Sequence, residues 1–299
     1  MIFGHRFDFQ SEPVLQEESS SFPSDSSNYP DNKAIQVIES PKSSLVDDFP
    51  LKTAWVEMSG QEARYHSLLP FEDAGEDFTW ALEIKDVVTL MWDALDKKII
   101  YTKGKNYTPK RLQFWVFHTF FPIVLELEHI YRILHVGSVE IEGKPVLFSA
   151  FSFGGKSTMT DYFIKKGHTM LSDDSMAIDK RGEVYYAIAS YPFHRPYREP
   201  ETLGYAVENF ATEPKPLHAV YLLEKSEPDA PVEIHEIKGI EKFKAFHYSS
   251  FIDFSFMKQE RFAFFTEMAK HVPVYKVNVP WDLDRLDEVY KAIVVKTIE

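Results

Sequence analysis

Apolar and polar residues alternate over short stretches in the first third of the chain. That period-two pattern predicts strands at residues 2–9, 34–39, 53–58, 78–84 and 98–102. Residues 11–32 break the pattern: they are rich in Ser, Asp, Glu and Pro, with too few large apolar side chains to offset ordering entropy. This predicts a flexible linker or insertion. At Thr108-Pro109 the period changes. Thr suits a helix cap and Pro the first helical position, and apolar residues continue at helical spacing to about Leu134. The pattern predicts a long helix joining a β-rich region, 1–108, to a second domain, 109–299.

Beyond the helix the expected order is strand at 133–141, strand at 145–150, a glycine-containing loop, helix at 156–166 stopping at Gly167, and strand at 169–178. That is the layout of an α/β nucleotide site. Further strands are expected at 184–189, 219–223, 232–237 and 274–277, with helices at 257–270 and 283–294. No internal repeat is visible.

Composition narrows the function classes. The chain has 299 residues, of which 44% are hydrophobic and 15% aromatic, enough to bury the core of one large or two modest domains. A net charge of -13 argues against sequence-independent nucleic-acid binding, which needs a surplus of Lys and Arg. With no cysteine, disulfides, thiolate metal sites and thiol nucleophiles are excluded. The first residues lack the features of a secretory signal, so a cytoplasmic location is expected. The apolar run 114–134 carries His118, Pro122, Glu126, Glu128, His129 and Arg132, and reads as a buried helix rather than a membrane span.

The chemistry concentrates in Ala150-Phe151-Ser152-Phe153-Gly154-Gly155-Lys156-Ser157-Thr158. Gly155-Lys156-Ser157 alone is a common tripeptide, but here it follows an apolar strand and opens a helix with Met159, Phe163 and Ile164 at core-facing spacing. Backbone N–H groups at such a helix start can cradle an anion, Lys156 can neutralise outer phosphates, and the Ser157 hydroxyl can ligate magnesium. Ser152, Phe153, Gly154, Gly155, Lys156, Ser157 and Thr158 are therefore the candidate nucleotide-binding residues. Two departures stand out: Ala150 replaces the usual first glycine, tolerable only at negative φ, and Phe153 is bulky. The plain alternative is a strand-to-helix turn with an exposed lysine.

Asp173-Asp174 follows at the expected carboxyl end of a strand, the edge of an α/β sheet where ligands bind. Such carboxylates can hold magnesium or take a proton from an attacking hydroxyl, although Asp-Asp is also common in solvated turns. His135, on the strand preceding the loop strand, is either a core histidine or part of the site. Arg195 and Arg198 are candidates to clamp phosphate or an acidic substrate, or else exposed loop residues.

Ile133-Leu134-His135-Val136-Gly137, Gly143-Lys144-Pro145-Val146-Leu147-Phe148, Phe153-Gly154-Gly155-Lys156-Ser157-Thr158 and Lys166-Gly167-His168-Thr169-Met170-Leu171-Ser172-Asp173-Asp174 together resemble the HPr kinase/phosphorylase family. The likeness is stronger to its shorter HPr-kinase-related members, and it covers about residues 130–181. It implies an α/β fold with a phosphoenolpyruvate-carboxykinase-like P-loop core that binds ATP and Mg2+ and uses a serine hydroxyl as acceptor. Carried over, His135 would lie by the transferred phosphate and Lys156 would bind phosphate. Ser157 and Asp174 would hold the metal, and Asp173 or Asp174 would be the base. The family's later glycine-rich signature has no counterpart around 199–210, so regulation of a sugar phosphotransferase system is not implied. The expected activity is an ATP-dependent phosphotransferase acting on a hydroxyl of a peptide, protein or free amino acid, with neither nucleic acid nor membrane as partner and a homo-oligomer left open. The rival readings are a non-catalytic partner protein and a phosphoserine phosphorylase or hydrolase.

Overall fold

The computed structural model describes residues 1–20, 34–73, 78–151, 154–196, 199–247, 249 and 254–299. The chain divides into two compact units, Met1–His129 with Arg198–Leu203, and Ile130–Tyr197 with Gly204–Glu299.

The first unit contains β1 (Phe7–Phe9), α1 (Pro13–Ser20), β2 (Ile35–Glu39), β3 (Leu51–Lys52), β4 (Val56–Met58), β5 (Gln61–Ser67), β6 (Trp80–Ile84), β7 (Val88–Asp93), β8 (Lys98–Lys103), α2 (Pro109–Phe114) and α3 (Phe121–Leu127). Among the described residues its strands form one eight-stranded sheet in the order β1-β2-β8-β7-β6-β5-β3, with β4 also on β5. Each of the five strands read from the sequence has a counterpart, though 2–9 is a strand only over Phe7–Phe9 and 53–58 only over Val56–Met58. β5 and β7 escaped that reading, β5 because its sequence, Gln-Glu-Ala-Arg-Tyr-His-Ser, is polar. β5 is held instead by cross-strand pairing, with Arg64 and His66 both 2.7 Å from Glu83 on β6.

Two expectations are corrected here. Residues 13–20 of the segment expected to be a flexible loop are helical, and residues 21–33 lie outside the described residues. Leu15 is buried and anchors α1, while Glu12 just before it accepts from Tyr107 at 2.5 Å and pairs with Lys103 at 3.0 Å. The long helix begins as expected, with Thr108 accepting the Arg111 N–H at 3.2 Å and Pro109 first in the helix. Trp115–Phe120 then widens into a π-helical turn. All six of its residues are buried, and Phe117 and Phe120 make ring contacts with Phe7 at 5.0 Å and Trp80 at 4.7 Å. Each such aromatic contributes roughly 1.5–3 kcal/mol by burial. The helix stops at Leu127, short of Leu134, and belongs to the first unit's core, so the boundary falls after His129 rather than at 108/109. Among the described residues no helix is long and apolar enough to cross a membrane.

The second unit contains β9 (Arg132–Leu134), β10 (Gly137–Ile141), β11 (Lys144–Ser149), α4 (Lys156–Lys165), β12 (Thr169–Ser172), β13 (Met176–Arg181), β14 (Val184–Ile188), β15 (Phe193–His194), β16 (Tyr205–Ala206), β17 (Lys215–Pro216), β18 (Ala219–Ser226), β19 (Ile234–Glu236), α5 (Glu241–His247), α6 (Lys258–His271), β20 (Val274–Pro280) and α7 (Leu286–Ile298). A six-stranded sheet runs β12-β10-β11-β18-β20-β19, and a four-stranded sheet runs β17-β14-β13-β9. The near-continuous apolar runs of β11 and β18 are explained by burial on both faces. Val146, Phe148, Ala219, Tyr221 and Leu223 pack with Met159 and Phe163 of α4 and Val289 and Ile293 of α7. Leu147, Val220 and Leu222 point the other way, into a core with Phe246 of α5 and Phe265 and Met268 of α6.

α4 approaches β10 so closely that a β-carbon on Gly137 would run into the Thr160 hydroxyl. Gly137→Ala is expected to destabilise the second unit by about 1–3 kcal/mol through overpacking, read as a lower denaturant midpoint with an unchanged slope.

Candidate functional site

The loop is anchored at its foot. Ser149, last in β11, donates to the Ala245 carbonyl at 2.9 Å and lies 2.6 Å from the Ser249 hydroxyl. Ala150 is buried in the core and does not adopt a left-handed φ, so alanine in place of glycine carries no backbone strain there. The Gly154 N–H donates back to the Phe151 carbonyl at 2.9 Å. Gly155 caps α4 at φ 88, where a side chain would be strained. The first turn of α4 carries no acidic side chain, so nothing within the helix offsets the positive end of its dipole. Lys156 is 5% exposed, and its amine donates to the Ala150 carbonyl at 3.2 Å, folding the lysine over its own loop. Ser157 is half-buried and Thr158 exposed. Ser152 and Phe153 lie outside the described residues.

β10 pairs antiparallel with both β11 and β12, so β11 and β12 run in the same direction. β11, β18 and β20 are parallel. The carboxyl ends of β11, β12, β18 and β20 therefore share one edge of the sheet, which brings the loop and the Asp173-Asp174 pair to the same side.

The expected strands 133–141 and 169–178 exist as one antiparallel ribbon, but it is split between the two sheets. Leu134 pairs with Met176 in the four-stranded sheet, and Ser138 pairs with Ser172 in the six-stranded one. Residues 135–137 and 173–175 stand at the split. His135 is therefore in the break between β9 and β10 and not on a strand, a correction that follows from the two sheets claiming the two halves of the ribbon. Its N–H donates to the Ser249 carbonyl at 2.6 Å.

The two aspartates differ. Asp173 is buried: it accepts the Arg195 N–H at 2.7 Å, and its other oxygen lies 2.9 Å from His194 Nδ1. His194 is fully buried, with its Nε2 3.4 Å from Asp161 of α4. Neither ring nitrogen is aligned for a hydrogen bond among the described residues, so these approaches are of ion-pair range rather than directed bonds. Asp174 is more open, its side chain 13% exposed, and lies 3.3 Å from Nδ1 of His135, whose side chain is 29% exposed. Tyr191 is buried nearby. Burial, reinforced by the charges of Asp174 and Asp173, pushes its hydroxyl well above the ordinary tyrosine range, so it stays neutral.

The structure thus brings His135 and Asp174 together and puts Asp173 on the backbone of Arg195. Arg198 lies outside the described residues. Sequence reasoning missed His194, Asp161 and Tyr191: a single histidine beside Pro192-Phe193 and an aspartate inside a helix carry no local signal, and only folding places them around Asp173. Among the described residues no group of three or more His, Asp or Glu could hold a metal ion. Magnesium, which keeps several waters and takes the rest of its shell from phosphates, needs fewer protein ligands than such a group, and Ser157 and Asp174 each carry an oxygen of the kind it takes.

No protein-family model and no curated protein sequence matches the chain. Among solved structures it is similar to the Hpr(Ser) kinase/phosphatase from Coxiella burnetii, at 11% identity and a TM-score of 0.35, over 56% of this chain and 99% of that one. The chemistry therefore rests on the residues themselves.

Asp173→Ala leaves a buried N–H and a buried imidazole without their carboxylate. It is expected to cost about 1–3 kcal/mol of stability, while Asp174→Ala costs clearly less; urea unfolding of the two variants side by side checks the difference.

Proposed function

We propose that the chain is an ATP-dependent phosphotransferase that delivers phosphate to a hydroxyl, in keeping with its resemblance to the HPr-kinase-related proteins. The observation that carries this reading is the shared sheet edge, where a Gly-Lys-Ser loop follows β11 and opens a helix, and where Asp174 follows β12 and meets His135 from the break before β10.

The roles follow from accessibility. The helix start and Lys156 would receive the phosphates, the lysine exchanging the Ala150 carbonyl for phosphate oxygen. Ser157 and Asp174 would hold magnesium, which would supply neutralisation of phosphate charge. Asp174, oriented by His135 at 3.3 Å, would accept the proton of the attacking hydroxyl. Asp173, buried and already tied to Arg195 and His194, positions the turn that carries Asp174. Arg195 lends its backbone N–H to that turn, and a phosphate clamp by Arg195 and Arg198 is proposed as the second role of this segment. The acceptor is proposed to be serine, on a peptide or protein or as the free amino acid.

One observation favours the rival reading of a non-catalytic partner: the Lys156 amine is engaged with its own loop. Calorimetry with ATP separates the two. The phosphotransferase is expected to bind ATP with magnesium and to lose binding in Lys156→Ala; a wild-type chain that binds no ATP with or without magnesium overturns the phosphotransferase reading. A second expectation concerns chemistry: Asp174→Asn, which keeps an oxygen able to ligate magnesium but no basic carboxylate, should still bind ATP, more weakly, while transfer of labelled γ-phosphate to serine peptides or free serine falls by about 100-fold or more, as for loss of a general base. Transfer at the wild-type rate in that variant would remove Asp174 from the mechanism.

A further inference from the structure

Beside the phosphate loop, the carboxyl end of β20 opens onto a cavity of about 200 Å³. Gly154 and Gly155 of the loop form part of its wall, and Met159 of α4, Val279, Trp281 and Leu283 are among the other residues that line it. Trp281 is 44% exposed, uncommon for so large an apolar side chain, and its ring lies 3.7 Å from where a β-carbon on Gly155 would sit. The Lys225 ammonium stands 4.3 Å from the indole centroid. Lys225 is not among the residues that line the cavity, so the cavity meets Trp281 without meeting this cation. Asp282, also on the rim, already accepts the Asp284 N–H at 3.0 Å and caps the turn before α7.

Size and position point to one kind of occupant. The volume lies below the roughly 300–1,000 Å³ of pockets that enclose drug-sized ligands, so it suits a single flat ring system rather than a whole nucleotide. The wall shared with the loop means that a ligand seated here continues directly to the start of α4. The cavity also lies at the same carboxyl edge of parallel β11, β18 and β20, where ligands of α/β sheets bind.

We propose that this cavity receives the purine ring of the nucleotide, with Trp281 as its stacking face. The proposal rests on the nucleotide reading above and adds a subsite that the phosphate-loop motif does not contain.

The test is calorimetric binding of ATP and of inorganic tripolyphosphate, both with magnesium, to the full chain and to Trp281→Ala, Leu283→Arg and Lys156→Ala, each checked by thermal melting. Trp281→Ala should weaken ATP by roughly 5- to 150-fold, the loss of one base–aromatic stack, and leave tripolyphosphate unchanged. Leu283, 76% exposed, can be replaced by arginine without disturbing the core. Leu283→Arg should obstruct the cavity with the same selectivity, and it decides the matter if Trp281→Ala melts early. Lys156→Ala should weaken both ligands. Unchanged ATP affinity in both cavity variants, or equal weakening of ATP and tripolyphosphate, overturns the base subsite while the phosphate site stands. If the wild-type chain binds neither ligand, the nucleotide reading itself fails and the subsite with it.

Discussion

The architecture of the second unit depends on one constraint: a single antiparallel ribbon has to serve two sheets. β9 with β13 completes the four-stranded sheet, and β10 with β12 completes the six-stranded sheet. Where the ladder changes hands, backbone groups lose their ladder partners and need others. His135 finds one in the Ser249 carbonyl, and the turn at Asp173 is fixed by the N–H of Arg195. The split is therefore where polar, chemically capable side chains can stand at the edge of a hydrophobic sheet.

The same split divides labour between adjacent aspartates. At the bend they form, one carboxylate is turned toward the fully buried His194 and the next toward the partly exposed His135. His194 also lies 3.4 Å from Asp161 on α4. The helix that begins at the glycine-containing loop and the turn that carries Asp174 thus meet around one buried imidazole.

Rigidity at the loop comes from apolar packing at both ends. Ala150 is core, and Met159 and Phe163 of α4 lie against β11. α4 is further tied to α7 through Tyr162 and Lys166, which both donate to Asp287. That carboxyl is held well below the usual range, chiefly by its hydrogen bond from Lys291 and then by those from Tyr162 and Lys166. Phe151 before the loop and Thr158 in the first turn of the helix remain exposed.

By itself the sequence determined what local chemistry controls. The strand–loop–helix unit, the Thr108-Pro109 helix start, the helix stop at Gly167 and most strands were legible, because capping, φ preference and hydrophobic period act over a few residues. The glycine-containing turn from β11 into α4 was legible for the same reason: all its groups lie within a short stretch of chain. Only the tertiary structure decided the rest. It ended the long helix at Leu127, because the aromatic run is buried within the first unit. It made a helix of 13–20, because one buried leucine and the Glu12 contacts anchor it. It broke two predicted strands at His135 and Asp173-Asp174, and it brought Trp281 beside Gly155. Each of these depends on contacts between residues far apart in the chain, and hydrophobic period, which records only whether a position is buried, does not record what it is buried against.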